Sequence, residues 1–413
     1  MPIGLPLAGY LNRVGGATAI HDPLYARALV ASDGLEMVCL LSVDILCVDA
    51  EFVAGVRDRI AAASAIRSET VMVAATHTHS APAGIARFDL DRASALYLGT
   101  PNPALRSQAQ AALVQAAVLA LAHLAPVRLY SGSGHAEDVA RNRIAANGPY
   151  DPEIPFVVAV NRDDEVVAAV FSLAIHSTVL GPGNLAYSGD LIGEVCHILE
   201  KRWGGSVVVG LAGAAGDIST RFTRREATFA EVQRLAISVA DAIAAERKSL
   251  EIGYPVRAGR ELVRLSLQPA ESRDALQQRL TSAERRLADL ATSPPAERRP
   301  VEAEIEGLQV ALAADRQGPD HVWTEVQVLK LGRVLTVGYP GEMFVEFGQA
   351  TRQALAPYHV LVAGYANDYI GYVPTPQAHR GYESTVALVA ADSGEKLVEL
   401  ACRLAGGEVA ART

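Results

Sequence analysis

Apolar and polar positions along the chain follow two periods, one typical of strands and one typical of helices. Short apolar runs that predict buried strands occupy residues 36–44, 70–75, 156–161, 166–175, 206–211, 333–338 and 359–364. Longer amphipathic stretches that predict helices lie between them, at residues 51–64, 104–123 and 229–246. Asp49 stands where it can cap the first of these helices, and residues 162–165 form a polar turn between two strands. This alternation predicts an α/β fold with a mixed, largely parallel sheet flanked by helices.

Residues 270–317 differ from the rest of the chain in composition. The segment is rich in Glu, Arg, Gln and Ala and has few aromatic residues. Its apolar residues fall near heptad spacing on both sides of a Thr-Ser-Pro-Pro turn at 292–295; they are Leu276, Leu280, Leu287, Leu290, Val301, Ile305, Leu308 and Leu312. The pattern predicts an inserted helical hairpin with one apolar seam. The hairpin is interpreted as an arm packed on its own body, an arm that forms a homo-oligomer, or a lid over an active site.

Composition and charge narrow the class of protein. The 413 residues are 50% hydrophobic and 20% charged, which excludes a disordered or fibrous chain. Lys and Arg total 37 against 46 Asp and Glu, so the formal charge of −9 argues against nucleic acid as a partner. No apolar stretch is long enough for stable insertion in a membrane, and the first residues lack the pattern of a signal peptide, so we expect a cytoplasmic location. The four cysteines include no CxxC pair, which disfavours disulfides and a thiolate metal site.

Five predicted strands run directly into residues that titrate, ligate metals or attack carbonyls. In chain order these are His77 and His79, His176, the turn 216–219 that ends in Ser219, Glu342, and the segment 365–372 that ends in Tyr372. In α/β sheets, ligands collect outside the carboxyl ends of the strands, so we expect these five ends to converge on one crevice. The chain contains no GxGxxG, P-loop or GxSxG motif, which disfavours dinucleotide binding, nucleotide hydrolysis and an ordinary α/β-hydrolase site.

Histidine and glutamate at these strand ends are the residue types that zinc accepts when thiolates are absent. His77 and His79 alternate, so an extended backbone would project both rings to one side. The structural alternative is a set of hydrogen-bonded core histidines. Glu342 could equally be a carboxylate in the first turn of a helix, and Ser219 could be a helix cap. A lone arginine such as Arg143 is more often solvated than engaged with an anion.

An ordered series of short motifs runs from about residue 9 to residue 384. It comprises GYLN at 9–12, IHDPLYARA at 20–28, THTHSAP at 76–82, NR at 142–143, HST at 176–178, SGD at 188–190, GDIS at 216–219, PGE at 340–342, NDYIGYVPT at 367–375 and YE at 382–383. The series resembles the amino-terminal catalytic domain of the neutral/alkaline non-lysosomal ceramidases. Thr220 and Arg221 stand where that family has Pro-Asn.

The resemblance implies zinc-dependent hydrolysis of the carbon–nitrogen amide bond in an N-acyl substrate, either ceramide-like or smaller and soluble. Carried over by position, it implies one zinc per chain with the ligands His77, His176, Glu342 and Tyr372. It places His79 beside the metal and assigns Arg143 and Tyr382 to holding the scissile group. The attacking group is either metal-activated water or Ser219, and both remain open.

The whole chain, residues 1–413, is therefore expected to form a single ceramidase-like catalytic domain with the hairpin inserted in it. The expected partner is a small-molecule amide or ester. Hydrolysis of an ester or lactone at the same zinc site is one alternative, because metal-assisted attack serves all three bonds. The other is a non-catalytic metal-binding scaffold that uses the hairpin for assembly.

Overall fold

Three β-sheets flanked by helices form the centre of the molecule. The computed structural model describes residues 2–88, 95–145, 147–245, 255–314, 319–378 and 381–406. The strands are β1 (Ala19–Ile20), β2 (Ala26–Ser32), β3 (Met37–Val43), β4 (Val71–Ala75), β5 (Arg128–His135), β6 (Arg141–Asn142), β7 (Glu153–Val160), β8 (Val166–Leu173), β9 (Ala186–Tyr187), β10 (Val207–Ala212), β11 (Ile218–Ser219), β12 (Val256–Ser266), β13 (His321–Leu331), β14 (Val334–Gly338), β15 (Glu342–Met343), β16 (His359–Ala363) and β17 (Tyr372–Val373). The helices are α1 (Ala50–Ala63), α2 (Ala95–Leu98), α3 (Pro103–Ala122), α4 (Asp190–Arg202), α5 (Phe229–Ala245), α6 (Arg273–Asp289), α7 (Pro295–Ala313), α8 (Val345–Ala354), α9 (Tyr382–Val386) and α10 (Ser393–Ala405).

Each large sheet combines one parallel pair of strands with antiparallel neighbours. The strand orders are β2-β3-β4, β10-β8-β7-β5 and β12-β13-β14-β16. The parallel pairs are β3–β4, β8–β10 and β14–β16. The predicted mixed α/β class with flanking helices is confirmed. The prediction of a largely parallel sheet is wrong, because these three sheets contain three parallel and five antiparallel pairings. The carboxyl end of each parallel pair leads into one of the segments that carry candidate site residues.

The apolar core explains why the predicted strands are continuous apolar runs. In β3, Val38 and Leu40 face a central cluster shared by all three sheets, whereas Cys39, Leu41 and Val43 face a second cluster under helices. Strands covered on both faces need apolar residues at every position. Asp49 caps α1 as predicted, because its carboxylate accepts a hydrogen bond from the Phe52 N–H at 2.8 Å.

The predicted hairpin is present as α6 and α7. Ser272 caps α6, and the seam between the helices buries Leu276, Leu280 and Leu308. The hairpin packs on its own body, where α7 lies against α9: a Cβ added at Gly307 would come within 3.2 Å of the Tyr382 Cα. Residues 315–317 of the predicted hairpin, and residue 246 of the predicted third helix, lie outside the described residues.

Among the described residues, no helix combines the length and the apolar character needed to cross a bilayer. All four cysteines are free thiols, and three of them are buried.

Candidate metal centre

Two backbone carbonyls orient the rings of His77 and His176. His77 follows β4 in a left-handed conformation with a φ of +59°, and its Nδ1 lies 2.7 Å from the Leu46 oxygen. His176 follows β8, and its Nδ1 lies 2.5 Å from the Ala215 oxygen. Because a carbonyl oxygen can only accept, each ring carries its proton on Nδ1 and leaves a lone pair on Nε2. Both Nε2 atoms are thereby prepared to ligate a cation.

The ring nitrogens converge with a carboxylate at one buried point. One nitrogen from each of His77, His79 and His176 lies within 4.8 Å of the others. The Nε2 atoms of His79 and His77 are 3.3 Å apart. Glu342 Oε2 lies 3.0 Å from His176 Nε2 and 3.5 Å from His77 Nε2. His176 Nε2 is buried without a hydrogen-bond partner among the described residues. Imidazole lone pairs and a carboxylate aimed at one point are the donors of a divalent metal site.

Burial keeps these three histidines neutral. It lowers the pKa of His77 to about 3, although the Glu342 charge acts in the opposite direction. It also lowers the pKa values of His79 and His176 well below the ordinary range. A metal ligand must be unprotonated, so the environment favours the ligating form across the whole neutral range.

Two tyrosines hold the Glu342 carboxylate. Tyr369 donates its hydroxyl proton to Glu342 Oε1 at 2.6 Å, and Tyr365 donates to Oε2 at 3.4 Å. The Tyr365 ring also stacks on His77, with 3.9 Å between centroids and an interplanar angle of 21°. Sequence reasoning assigned neither tyrosine a role, although both lie in the segment 365–372 that it singled out. What could have identified them is their position in the sequence, between the end of a predicted strand and the predicted ligand Tyr372.

Tyr372 joins the centre to a charged pair beside it. It lies directly opposite Glu342 in the β15–β17 pairing, and its ring is parallel to that of His176 at 6.4 Å. Its hydroxyl accepts a hydrogen bond from Arg143 Nη2 at 2.9 Å, and Arg143 forms an ion pair with Glu383 at 2.7 Å. Burial, and then the Glu342 charge, raise the pKa of Tyr372 well above its usual value. The Tyr372 and Tyr382 rings are perpendicular, with 5.9 Å between their centroids.

Comparison with known proteins assigns the chain to a family. The family model described as neutral/alkaline non-lysosomal ceramidase, N-terminal, matches residues 2–232. The chain belongs to this family. It is 24% identical over 376 residues to the neutral ceramidase of Pseudomonas aeruginosa, an alignment that covers 76% of this chain. The chain spans only 55% of that relative's length.

Solved ceramidases share the fold. The crystal structure of neutral ceramidase from Pseudomonas aeruginosa superposes with a TM-score of 0.77 at 22% identity, over 98% of this chain and 71% of that one. A ceramidase complexed with C2 superposes with a TM-score of 0.76 at 20% identity, over 98% of this chain and 72% of the other. At these identities the likeness establishes the fold alone.

The residues predicted from the resemblance to the ceramidase family fall into two adjoining groups, and within the described residues the Ser219 hydroxyl is hydrogen-bonded to neither group. The first group is the buried cluster of His77, His79, His176 and Glu342, and the second is the hydrogen-bonded or stacked set of Arg143, Tyr372 and Tyr382. Ser219 is buried in β11, where its Oγ accepts a hydrogen bond from the Arg221 N–H at 3.2 Å. Within the described part of the chain, no imidazole or carboxylate is hydrogen-bonded to that hydroxyl. The chemical role of each residue stays a prediction.

The turn before Ser219 positions Arg143. Asp217 accepts hydrogen bonds from the Asn142 side chain at 2.7 Å and from the Val345 N–H at 2.8 Å. Its carbonyl accepts from the Arg143 N–H at 2.8 Å, and the Gly216 carbonyl accepts from Arg143 Nη2 at 2.8 Å. Residues 216 and 217 of the ceramidase-like GDIS motif therefore hold Arg143 in place, a role that does not require Ser219 to attack a substrate.

Gly9 is a further site residue that residue-by-residue reasoning missed. Its φ is +99°, and an added Cβ would lie 2.3 Å from His79 Nδ1. The next residue, Tyr10, places its ring 4.8 Å from the His79 ring. The signal was the GYLN motif at 9–12, whose glycine is required because the backbone both turns left-handed and approaches an imidazole.

Proposed function

We propose that this member of the ceramidase family hydrolyses the carbon–nitrogen amide bond of an N-acyl substrate with one zinc ion per chain. The ligands we assign are His77, His176, Glu342 and Tyr372. The observation that carries the proposal is the convergence of two carbonyl-oriented imidazole lone pairs and a carboxylate at one buried point. The amide bond is proposed because the relative is a neutral ceramidase.

The donor set suits zinc because it combines imidazole nitrogen with oxygen and includes no thiolate. When bound, zinc would polarise the substrate carbonyl and lower the pKa of an attacking water molecule. Hydrogen bonds from Tyr365 and Tyr369 fix the Glu342 carboxylate, which supports a defined coordination geometry.

The residues around the centre supply protons and hydrogen bonds. Burial raises the pKa of Tyr382, so its phenol stays protonated and can donate to the oxygen on which negative charge develops. Arg143 fixes the Tyr372 hydroxyl and adds a positive charge beside it. Burial lowers the pKa of His79 and keeps its ring neutral, so its unprotonated nitrogen can accept a hydrogen bond from an attacking water molecule.

A panel of matched amides and esters tests the proposal. N-Acyl amines of short and long acyl chain, with the corresponding esters and lactones, are incubated with the zinc-loaded protein, and released acid and amine are quantified by mass spectrometry. We expect amide turnover that a chelator abolishes and zinc restores. The variant His77→Ala should be inactive, whereas His197→Ala, which alters an exposed histidine on α4, should match the parent protein.

Two results would contradict this function. Turnover of esters or lactones with no turnover of any amide would replace it with the alternative activity at the same centre. Stoichiometric zinc without turnover of any substrate would favour the metal-binding scaffold.

A further inference from the structure

Arg221 is a half-buried cation without a carboxylate partner among the described residues. Within that part of the chain, its side chain makes one long hydrogen bond, from Nη1 to the Arg143 carbonyl at 3.4 Å. Among the described residues, no carboxylate lies within ion-pair distance of its guanidinium. A guanidinium has five N–H donors in a planar fork that matches a carboxylate, so most of its donors are unused here.

Most of the charged groups that act on Arg221 are positive, like Arg221 itself. Burial, followed by the charges of Arg143 and Arg299, lowers the pKa of Arg221 to about 10. Glu383 is the acidic group that acts most strongly against this, yet it forms its own ion pair with Arg143 at 2.7 Å. Arg299, on α7 of the hairpin, is bound to Glu306 at 2.8 Å. An anion that entered this region would therefore gain most of its attraction from Arg221 itself.

The other nearby cation has its own partners. Arg224 also lowers the pKa of Arg221, but its Nη1 donates to the Val179 carbonyl at 3.0 Å and contacts the Thr178 carbonyl. These backbone contacts fix the Arg224 side chain without neutralising it. Arg221 is thus the cation in this group with neither a carboxylate nor a well-formed set of hydrogen bonds.

Arg221 adjoins the metal centre. Its backbone N–H donates to Ser219 Oγ at 3.2 Å, and its side chain reaches the backbone of Arg143, which in turn donates to the Tyr372 hydroxyl. Its positive charge is close enough to contribute to the lowered pKa of His176. A charged group close to the scissile amide of a substrate held at the metal centre could therefore reach this guanidinium.

We propose that Arg221 binds an anionic group of the substrate, so that the preferred substrates are N-acyl compounds bearing a carboxylate, sulfonate or phosphate close to the scissile amide. This inference rests on the proposed function and names its substrate class. Pairing with an anion would satisfy the free donors of Arg221 and relieve its repulsion from Arg143 and Arg299. Arg221 is accordingly a specificity-determining residue.

Two matched pairs of amides test the inference. N-Octanoylglycine and N-octanoylglycinamide differ in one negative charge on the amine side of the scissile bond. N-Octylsuccinamate and N-octylsuccinamide differ in one negative charge on the acyl side. Release of octanoate from the first pair and of octylamine from the second gives kcat/KM for each. We expect the anionic member of at least one pair to be preferred by roughly 10–100-fold, the range for a hydrogen-bonded charge pair.

The variants separate binding of the anion from damage to the site. Arg221→Ala should remove that preference by lowering kcat/KM for the anionic member far more than for the neutral member, and Arg221→Lys should keep part of the preference. Arg225→Ala is the matched control, because Arg225 is an exposed arginine four residues further along the chain. It should leave both kcat/KM values and their ratio at the parent level.

The inference is overturned if neither pair shows a preference for the anion, or if Arg221→Ala lowers the kcat/KM of charged and neutral members equally. Failure of the proposed function gives a different result, namely that no amide of either pair is cleaved. In that case, calorimetric titration of the same four compounds still shows whether Arg221 binds the anionic group. Tighter binding of the anionic member that Arg221→Ala abolishes supports the assignment, and equal binding of both members refutes it.

Discussion

At the scale of single residues, the site depends on hydrogen bonds that fix which atom of each side chain is free. Leu46 and Ala215 contribute only backbone carbonyls, yet these set the tautomers of His77 and His176. The sequence identified both histidines because they follow apolar strands. It could not identify the carbonyls, since every residue has one and only the folded backbone decides which one faces a ring.

The first prediction at this scale concerns the metal. His77→Ala and His176→Ala should each lose the zinc that the parent protein binds at one equivalent per chain, because each removes an imidazole from the centre. Elemental analysis after dialysis measures the metal, and circular dichroism checks that the fold survives. If both variants keep a full equivalent of zinc, the metal is bound elsewhere.

The second prediction concerns the attacking group. Ser219→Ala should lower kcat roughly 10²–10³-fold, the cost of one hydrogen-bond donor near the developing charge, because we expect water rather than Ser219 to attack. Among the described residues, the Ser219 hydroxyl has no basic partner, and a serine without a base is a weak nucleophile near neutral pH.

Intact-protein mass spectrometry during single turnover separates the two mechanisms. An acyl adduct on Ser219, together with complete loss of chemistry in Ser219→Ala, would establish the serine as the nucleophile. Incorporation of labelled oxygen from water without any adduct would support the prediction.

At the scale of elements, the sequence predicted best those strands that are buried on both faces. The strand β12 does not follow from the sequence pattern because most of its side chains are exposed, so it shows no apolar run. Its antiparallel partner β13 does not either, because the buried polar residues Thr324, Glu325 and Gln327 interrupt its apolar stretch. The hairpin was predicted because its heptad seam is a local pattern. Its docking site on α9 was not, because that depends on Gly307 meeting Tyr382 across the fold.

The third prediction tests this docking. Gly307→Leu should displace α9 and with it Tyr382 and Glu383, which pairs with Arg143 at 2.7 Å. We expect kcat/KM to fall roughly 10–100-fold, because small displacements of positioning groups cost about this much. Gln309→Leu introduces the same leucine side chain at an exposed position of α7 and is the control.

The zinc content of Gly307→Leu gives the decisive readout. It should remain at the parent level, because the metal ligands do not lie on α9. Parent-like kinetics in Gly307→Leu would show that the hairpin is a passive insertion, and loss of zinc would show general damage to the centre.

At the scale of the whole molecule, a buried polar network joins two parts of the fold. It links helix α1, which connects β3 to β4, to the sheet β12-β13-β14-β16. Arg57 on α1 and Glu325 on β13 form an ion pair at 2.7 Å with about a tenth or less of each side chain exposed. Asn367 adds hydrogen bonds to Glu325 at 3.0 Å and to Gln327 at 2.7 Å. Periodicity reveals none of this, since Arg57 lies 268 positions from Glu325 in the chain and Asn367 lies 42 positions from it.

The fourth prediction follows from that network. Glu325→Gln should lower the free energy of unfolding by about 3–5 kcal/mol, because it leaves the buried Arg57 charge without its partner. Glu261→Gln, which alters an exposed ion pair with Arg403, should change it by no more than about 1 kcal/mol. Urea denaturation of the three proteins provides the comparison, and equal midpoints for all of them would contradict the assigned role.

The segment after β16 crosses from the third sheet to the ends of the other two. The Gly364 N–H donates to the Ala212 carbonyl at 2.8 Å, and the Tyr365 carbonyl accepts from the Ala75 N–H at 3.2 Å. His77, His176 and Glu342 follow strands β4, β8 and β14, which belong to three different sheets, and these backbone hydrogen bonds link the sheets near the centre. Unfolding any one of these sheets would separate the three ligands. An ion that binds only when all three are together would therefore stabilise the native state of the entire chain. At a free concentration 100 times its dissociation constant, such an ion stabilises the native state by about 2.7 kcal/mol. The fraction of chains that hold an ion then reports the fraction in which all three sheets are folded.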